Sequence, residues 1–224
     1  MQKIIVAIDG FASTGKSSLA KRLAETLNYT YIDSGAMYRA VTYFAIQKGH
    51  QGHIDKEKLI AQLDQIEIYF NYSKSGHQTF LNGLNISKEI RLSEVTEQVS
   101  KVSKILEVRS LLVTQQQKLG AKKGIIMDGR DIGTVVFPKA ECKFFLKASS
   151  EIRAKRRHLE QIEAGNNEFF ASVLSNIKDR DLMDTTRKIS PLTKADDAIE
   201  IDVSEMSLEE VYQQLLEHIS KKII

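Results

Sequence analysis

The sequence predicts an α/β fold built on a five-stranded parallel sheet flanked by helices, and three observations carry that prediction. Five short apolar runs recur along the chain: "KIIVAID", "YTYID", "GIIMDG", "KFFLKA" and "AIEIDVS". Helical patterns separate them, and strands that alternate with helices pair in parallel. A glycine-rich stretch, "GFASTGKSS" (Gly10 to Ser18), joins the first run directly to the first helical pattern.

The first four runs are near-continuously apolar, as befits strands covered on both faces. "AIEIDVS" alternates, which suits an edge strand. After the glycine loop, Leu19, Leu23 and Leu27 recur every fourth residue and give a helix one apolar face. Near the end, Ser207 opens "SLEEVYQQLLEHI" with Glu210 three residues on, a capping-box signature. Between about Ile66 and Ile86 the rhythm changes. Ile66, Ile68, Phe70 and Tyr72 alternate with polar residues, "SKSG" and "NG" supply turns, and the segment reads as a small antiparallel meander. Val95, Val99, Val102 and Leu106 then mark one long helix to about Leu119. A single domain follows, residues 1–224, with a core of residues 1–54 and 119–224 and an insertion over about 55–118.

The 224 residues, 42% hydrophobic and 27% charged, suffice to bury a core. Two prolines and twelve glycines argue against a fibrous or low-complexity chain. A formal net charge of +3 is too mild to imply nucleic-acid binding and equally suits a basic pocket for an anionic small molecule. Cys142, the only cysteine, excludes an intrachain disulfide and reads as a buried thiol within "CKFFLKA". No run is long enough to span a membrane, and "MQKIIVAIDG" has no signal-peptide layout, so a cytoplasmic protein is expected. The triplets at Asn28, Asn71 and Asn85 are then chance matches to a glycosylation pattern.

Gly10, Gly15, Lys16 and Ser17 satisfy G-x-x-x-x-G-K-[ST] between a strand and a helix, the context that pattern requires. The backbone N–H groups of Gly10, Phe11, Ala12, Ser13, Thr14, Gly15, Lys16, Ser17 and Ser18 are placed to converge on phosphate oxygens. The helix start adds a positive dipole end. Lys16 is expected to reach the β- and γ-phosphates, and the Ser17 hydroxyl to ligate Mg²⁺. The pattern signals a nucleoside triphosphate without separating a kinase from a switch or a motor. "TKAD" (Thr193 to Asp196) resembles a guanine-reading element, but the sequence has no Asp-x-x-Gly, which argues against a GTPase switch.

Strand ends in a parallel sheet share one rim, so Asp9, Asp33 and Asp128 are expected to face the loop, where a carboxylate assists Mg²⁺ or merely caps the next helix. "DSGAMYRA" brings Ser34, a possible helix cap, with Tyr38 and Arg39 one turn on. "RAKRRHLE" spaces Arg153, Arg156 and Arg157 helically, and "DRDLMDTTRK" adds Arg180, Asp184 and Arg187. Arginine binds phosphate bidentately and stays charged, so this number of arginines suits an acceptor that is itself a phosphate.

Taken together, "AIDGFASTGKSS", "YIDSGAMYRA", "LNGLNISKEIR", "VSKVSKILEVRSLL", "MDGRDIGTVVFPKA", "RAKRRHLEQ" and "RDLMDTTRKISPLTKADDAIEIDVS" resemble the bacterial cytidylate (CMP) kinases over nearly the whole chain. The resemblance implies a P-loop kinase with the antiparallel insertion on the nucleoside monophosphate side and a helical lid over about 153–180. It implies ATP as donor with Mg²⁺, CMP or dCMP as acceptor, and a monomer with no nucleic-acid or membrane partner. Carried over residue by residue, it implies that Ser100, Arg109 and Asp131 read the cytosine edge and Asp184 holds the sugar hydroxyls. Arg39, Arg130 and Arg187 grip the acceptor phosphate and sugar, beside Ser34, Tyr38, Gly129 and Arg180. The resemblance further implies that Arg153 and Arg157 belong to the lid over the donor, and that Lys16, Arg130, Arg157 and Arg187 neutralise the transferring group. Phe11 departs from the family pattern, which commonly has proline there.

The chemistry of the residues agrees with such an acceptor. An Asp accepts from the exocyclic amine of cytosine and an Arg donates to its ring acceptors, whereas uracil presents a carbonyl to the Asp. The acceptor phosphate is its own nucleophile and needs no general base, in keeping with histidines that fall outside these motifs except His158, which reads as a solvated surface residue of the basic helix. "EAGNNE" (Glu163 to Glu168) suits a lid tip. A UMP/CMP or shikimate-type kinase differs from this reading in its acceptor only. A non-catalytic nucleotide- or RNA-binding module is the reading from another class. Aromatics at 7% and no tryptophan argue against RNA.

Overall fold

The computed structural model describes residues 2–49, 54–73 and 76–223. In chain order the elements are β1 (Ile5–Gly10), α1 (Lys16–Leu27), β2 (Thr30–Asp33), α2 (Ser34–Lys48), α3 (Lys56–Ala61), β3 (Ile68–Ser73), β4 (Gly76–Leu81), β5 (Leu84–Asn85), α4 (Ser93–Val102) and α5 (Leu106–Gly120). There follow β6 (Ile125–Gly129), β7 (Cys142–Lys147), α6 (Ser150–Glu163), α7 (Phe170–Thr186), β8 (Ile199–Asp202) and α8 (Leu208–Ser220).

By its internal packing the chain divides into two compact units: residues 1–32 with 119–224, and Asp33–Lys118. The second takes in α2 together with the segment from 55 to 118. The first holds the five-stranded sheet in the order β2-β6-β1-β7-β8, with β1 parallel to both neighbours and β8 at an edge. Every residue of β6 is buried, while three of the four in β8 are exposed, so the contrast between continuous and alternating runs reports position in the sheet. Ile4, Val6 and Ile8 pack with Leu19 and Leu23 of α1 and with Val211, Leu215 and Ile219 of α8. The capping box of α8 forms as its sequence predicts: Glu210 N–H donates to Ser207 Oγ and Ser207 N–H to Glu210 Oε2. Cys142 is buried in β7, and burial pushes its thiol up to about 11.

The second unit holds the meander, ordered β3-β4-β5. Asn82 and Gly83, at φ of 49° and 82°, form the two-residue turn that "NG" predicts. Of the preceding turn, Lys74 and Ser75 lie outside the described residues. The long helix expected from Val95 to about Leu119 is instead two, α4 and α5. Two polar groups break it. Ser103 Oγ donates to Ser100 O (3.0 Å), and the buried Arg109 takes Ser103 O through Nη1 (3.2 Å), diverting carbonyls from helical pairing. The valine spacing is continuous across this break, so apolar periodicity could not reveal it.

One close approach at the centre of the sheet allows only glycine. A Cβ on Gly10, at φ of +145°, would lie 2.1 Å from the backbone oxygen of Leu146 in β7. We therefore expect Gly10→Ala to lower stability by at least about 3 kcal/mol in urea denaturation. Gly83→Ala, with positive φ but nothing within 4 Å of its Cβ, should lose only about 1 kcal/mol. Equal losses would contradict the steric account.

Candidate active site

The phosphate loop takes shape from three left-handed or glycine-only backbones. Gly10, Ser13 and Gly15 have φ of 145°, 58° and 84°. Gly15 is the N-cap of α1 and offers no side chain, so no side-chain cap covers the first N–H groups of the helix. Those donors point where an anion is best stabilised. The Lys16 ammonium folds back along the loop, donating to Phe11 O and to Thr14 Oγ1 (3.2 Å). Burial first, and then the Arg130 guanidinium, push Lys16 down to about 7, against the pull of Asp128, Asp9 and Asp184. Phe11 sets its ring edge-on to Phe145, centroids 6.1 Å apart, and beneath the Arg153 guanidinium at 4.9 Å. Aromatic packing thus holds this position of the loop.

The three strand-end carboxylates separate into different jobs. Asp128 accepts from Ser17 Oγ (2.8 Å) and from Tyr31 OH (2.9 Å), so it alone of the three bonds the loop's hydroxyl. Asp9 accepts the backbone N–H groups of Ile132 (2.8 Å) and Gly133 (2.7 Å). Burial pushes its carboxyl up to about 7 although those two N–H groups hold it down. Asp33 serves its own helix. It caps α2, accepting from Ala36 N–H (2.9 Å), while Ser34 is the first helical residue and not the cap.

Around Gly129 the same unit gathers charge. Arg130 Nε donates to Asp184 Oδ2 (2.9 Å). Arg187 stands 3.9 Å from the other oxygen of Asp184 and 3.7 Å from Asp131, and its Nε donates to Ser190 O (2.6 Å). Arg180 is half-buried, and its Nε, shut off from solvent, finds no partner among the described residues. Burial, and then the charge of Arg130, push it down to about 10, with Arg157 repelling it further. Lys16, Arg130, Arg180 and Arg157 are therefore linked by mutual repulsion, with Asp184 the shared counter-charge.

Arg153 is anchored by neighbouring groups. It binds Asp181 through both terminal nitrogens (3.1 and 2.5 Å), donates from Nε to Ala148 O (2.9 Å) and reaches Ala12 O of the loop (3.4 Å). Arg157 pairs with Glu160 at 3.5 Å and is more exposed. "EAGNNE" lies where α6 gives way to α7.

In the second unit, Ser34, Tyr38, Ser100 and Arg109 are all buried. The Arg109 guanidinium lies 5.4 Å over the Tyr38 ring, and Ser103 ties it to the end of α4 that carries Ser100. Arg39 donates to Ile90 O (3.2 Å) and Thr96 Oγ1 (2.8 Å).

Tyr31 and Asp181 escape a sequence reading. Each acts on a partner far along the chain, and neither spacing has a local signal. Lys143 did carry a signal, as a charge inside an apolar run. Its ammonium binds both oxygens of Asp197, at 2.8 and 2.9 Å, and also Pro138 O.

Comparison with known proteins completes the description. The family described as cytidylate kinase matches residues 6–221. A cytidylate kinase of Flavobacterium johnsoniae is 53% identical, over 97% of this chain and 96% of that protein. One of Parabacteroides distasonis is 52% identical over 100% of this chain and 99% of that protein. One of Bacillus subtilis is 45% identical, covering 99% and 98% respectively. Among solved structures, an uncharacterised protein of Eubacterium ventriosum matches with a TM-score of 0.53 at 12% identity, over 98% of this chain and 99% of that one, a likeness of fold alone.

If Arg153 and Asp181 hold one another as a buried pair, a double-mutant cycle with alanine at each position should give a coupling of at least about 1 kcal/mol. A coupling near zero in denaturant unfolding would show that the contact contributes nothing.

Proposed function

This chain belongs to the cytidylate kinase family, and from that premise we propose that it transfers the γ-phosphoryl group of ATP to CMP or dCMP, giving ADP and the nucleoside diphosphate. The observation that carries the reading is the set of mutually repelling cations, Lys16, Arg130, Arg180 and Arg157, beside an uncapped helix start. Asp184, Asp128, Asp9 and Asp181 offset part of this repulsion, and anionic charge brought by a ligand offsets more. A triphosphate together with a second phosphate supplies it.

The acceptor phosphate, with a second pKa of about 6, is mostly dianionic at neutral pH and attacks without a general base. The task left to the protein is to bring two anions into line. Lys16 leaves its contacts on Phe11 and Thr14 for the donor's β- and γ-phosphates. Arg130, Arg180 and Arg187 hold the acceptor phosphate and neutralise charge spreading over the transferring group, with Arg157 closing from α6. Arg153 tethers α6 and α7 to the loop at Ala12, so movement of those helices is transmitted to the donor site. Water kept out by their closure cannot intercept the phosphoryl group.

Asp184, with Arg187, orients the sugar. Asp131 accepts from the cytosine amine, and Ser100 and Arg109 address the rest of the base edge, with Ser34, Tyr38 and Arg39 supporting the acceptor. Oxygen donors suit the expected Mg²⁺. Ser17 and Asp128 lie in hydrogen-bond contact at the loop, and no cluster of three or more acidic, cysteine or histidine ligands occurs among the described residues. A hard cation completed by phosphate oxygens and water fits that pair. Held by Ser17 and Asp128, Mg²⁺ would supply charge neutralisation for the donor phosphates. No described helix is long and apolar enough to cross a membrane.

The reading predicts that ADP release across a panel of nucleoside monophosphates is greatest with CMP and dCMP. Lys16→Ala should nearly abolish it. Equal turnover with AMP or GMP would sink the proposal. For Asp131→Asn, the CMP-to-UMP ratio of kcat/KM should drop roughly tenfold, as expected when a buried pairing of about 1–3 kcal/mol is lost.

A further inference from the structure

Asp131 is followed at once by an unusual turn. Val136 N–H reaches back to Asp131 O (3.2 Å) and Phe137 N–H to Ile132 O (2.7 Å), the wide i+5 pattern of a single π-helical turn over Ile132–Val136. Such turns are rare and often stand at functional sites. Asp131 occupies the N-cap position of this turn. An aspartate there ordinarily spends its carboxylate on the first free N–H groups of its own helix. Asp131 makes no such bond.

The N–H groups of Ile132 and Gly133 are satisfied from another strand. Asp9, in register with Gly129 across the β1–β6 ladder, gives Oδ1 to Ile132 and Oδ2 to Gly133, at 2.8 and 2.7 Å. A Cβ on Gly133 would stand 3.4 Å from Asp9 Oδ2 and 3.1 Å from Cδ of Lys143, so the turn is packed close on this carboxylate. Both Asp9 and Asp131 are buried, where an N–H left unpaired is costly. Asp131, the N-cap residue, is itself of a type that could cap the turn in place of Asp9.

We infer that Asp9 is a positioning residue for acceptor-base selection: by capping the Ile132–Val136 turn in place of Asp131, it leaves the Asp131 carboxylate to the cytosine amine. The inference rests on the reading of Asp131 given above. It assigns Asp9 no contact with either nucleotide.

The test compares kcat/KM for CMP and UMP, and KM for ATP, in the wild type, Asp131→Asn, Asp9→Asn, Asp9→Ala and the double variant Asp9→Ala/Asp131→Asn. Asparagine can accept only one of the two N–H groups and turns a donor toward the other. The CMP-to-UMP ratio is therefore expected to fall by at least about threefold in Asp9→Asn, the lower range of one hydrogen bond's worth. It should fall further in Asp9→Ala, and the double variant should be no less selective than Asp131→Asn alone. KM for ATP should stay within about twofold of the wild type, a split that general loosening of the fold would not produce. Gly133→Ala, which presses on the same contact and leaves both carboxyls in place, provides the same reading if the Asp9 variants do not fold. Its ratio should fall as well. A fall in Asp131→Asn with an unchanged ratio in folded Asp9→Asn, or in Gly133→Ala, overturns the role of Asp9 and leaves that of Asp131 standing. An unchanged ratio in Asp131→Asn overturns both.

Discussion

Repulsion between closely placed cations runs through the first unit of this protein. Lys16 at the head of α1 is buried, Arg180 on α7 is half-buried, and Arg130 works against the charge of each. Burial alone disfavours such charges, and proximity adds to it. The chain offsets part of this with Asp184, which binds Arg130 directly and stands within 4 Å of Arg187. What remains is a preformed demand for phosphate. A site arranged in this way spends little on reorganisation when the anions arrive, which is the physical basis of electrostatic preorganisation.

The framework that brings these charges together is narrow. β1 lies at the centre of the sheet, and its last residue, Gly10, passes so close to Leu146 O that no other side chain fits. From that point the chain turns into the loop, and α1 begins with its N–H groups uncovered by any side chain. The neighbouring strand β6 delivers Asp128 to Ser17 and then Gly129, Arg130 and Asp131 in succession. One pair of adjacent parallel strands thus places both the donor-phosphate loop and the residues assigned to the acceptor.

Much of this was legible in the sequence because it is encoded locally. The strand runs, the glycine loop, the capping box of Ser207 and Glu210 and the "NG" turn each depend on residues a few positions apart. The edge position of β8 showed in its alternation. What escaped was set by contacts across the chain. Nothing near Asp9 signals that it caps a turn more than a hundred residues away. Asp181 has no motif that announces Arg153, and Ser103 interrupts a valine pattern that reads as continuous helix. Asp33 was legible only as one of several strand-end acids. The structure gives it the plain role of a helix cap.

The central claim is that one chain holds two phosphate-bearing nucleotides by this charge, and chooses the acceptor by its cytosine. The most direct measurement is the unfolding midpoint with a bisubstrate ligand, adenosine and cytidine joined through a chain of phosphates, beside its uridine counterpart. A ligand that binds only the folded state raises the midpoint according to its affinity. The account predicts a saturable rise with both compounds, larger with the cytidine form, and weakened by added salt. No rise, or equal rises for cytidine and uridine, would contradict it.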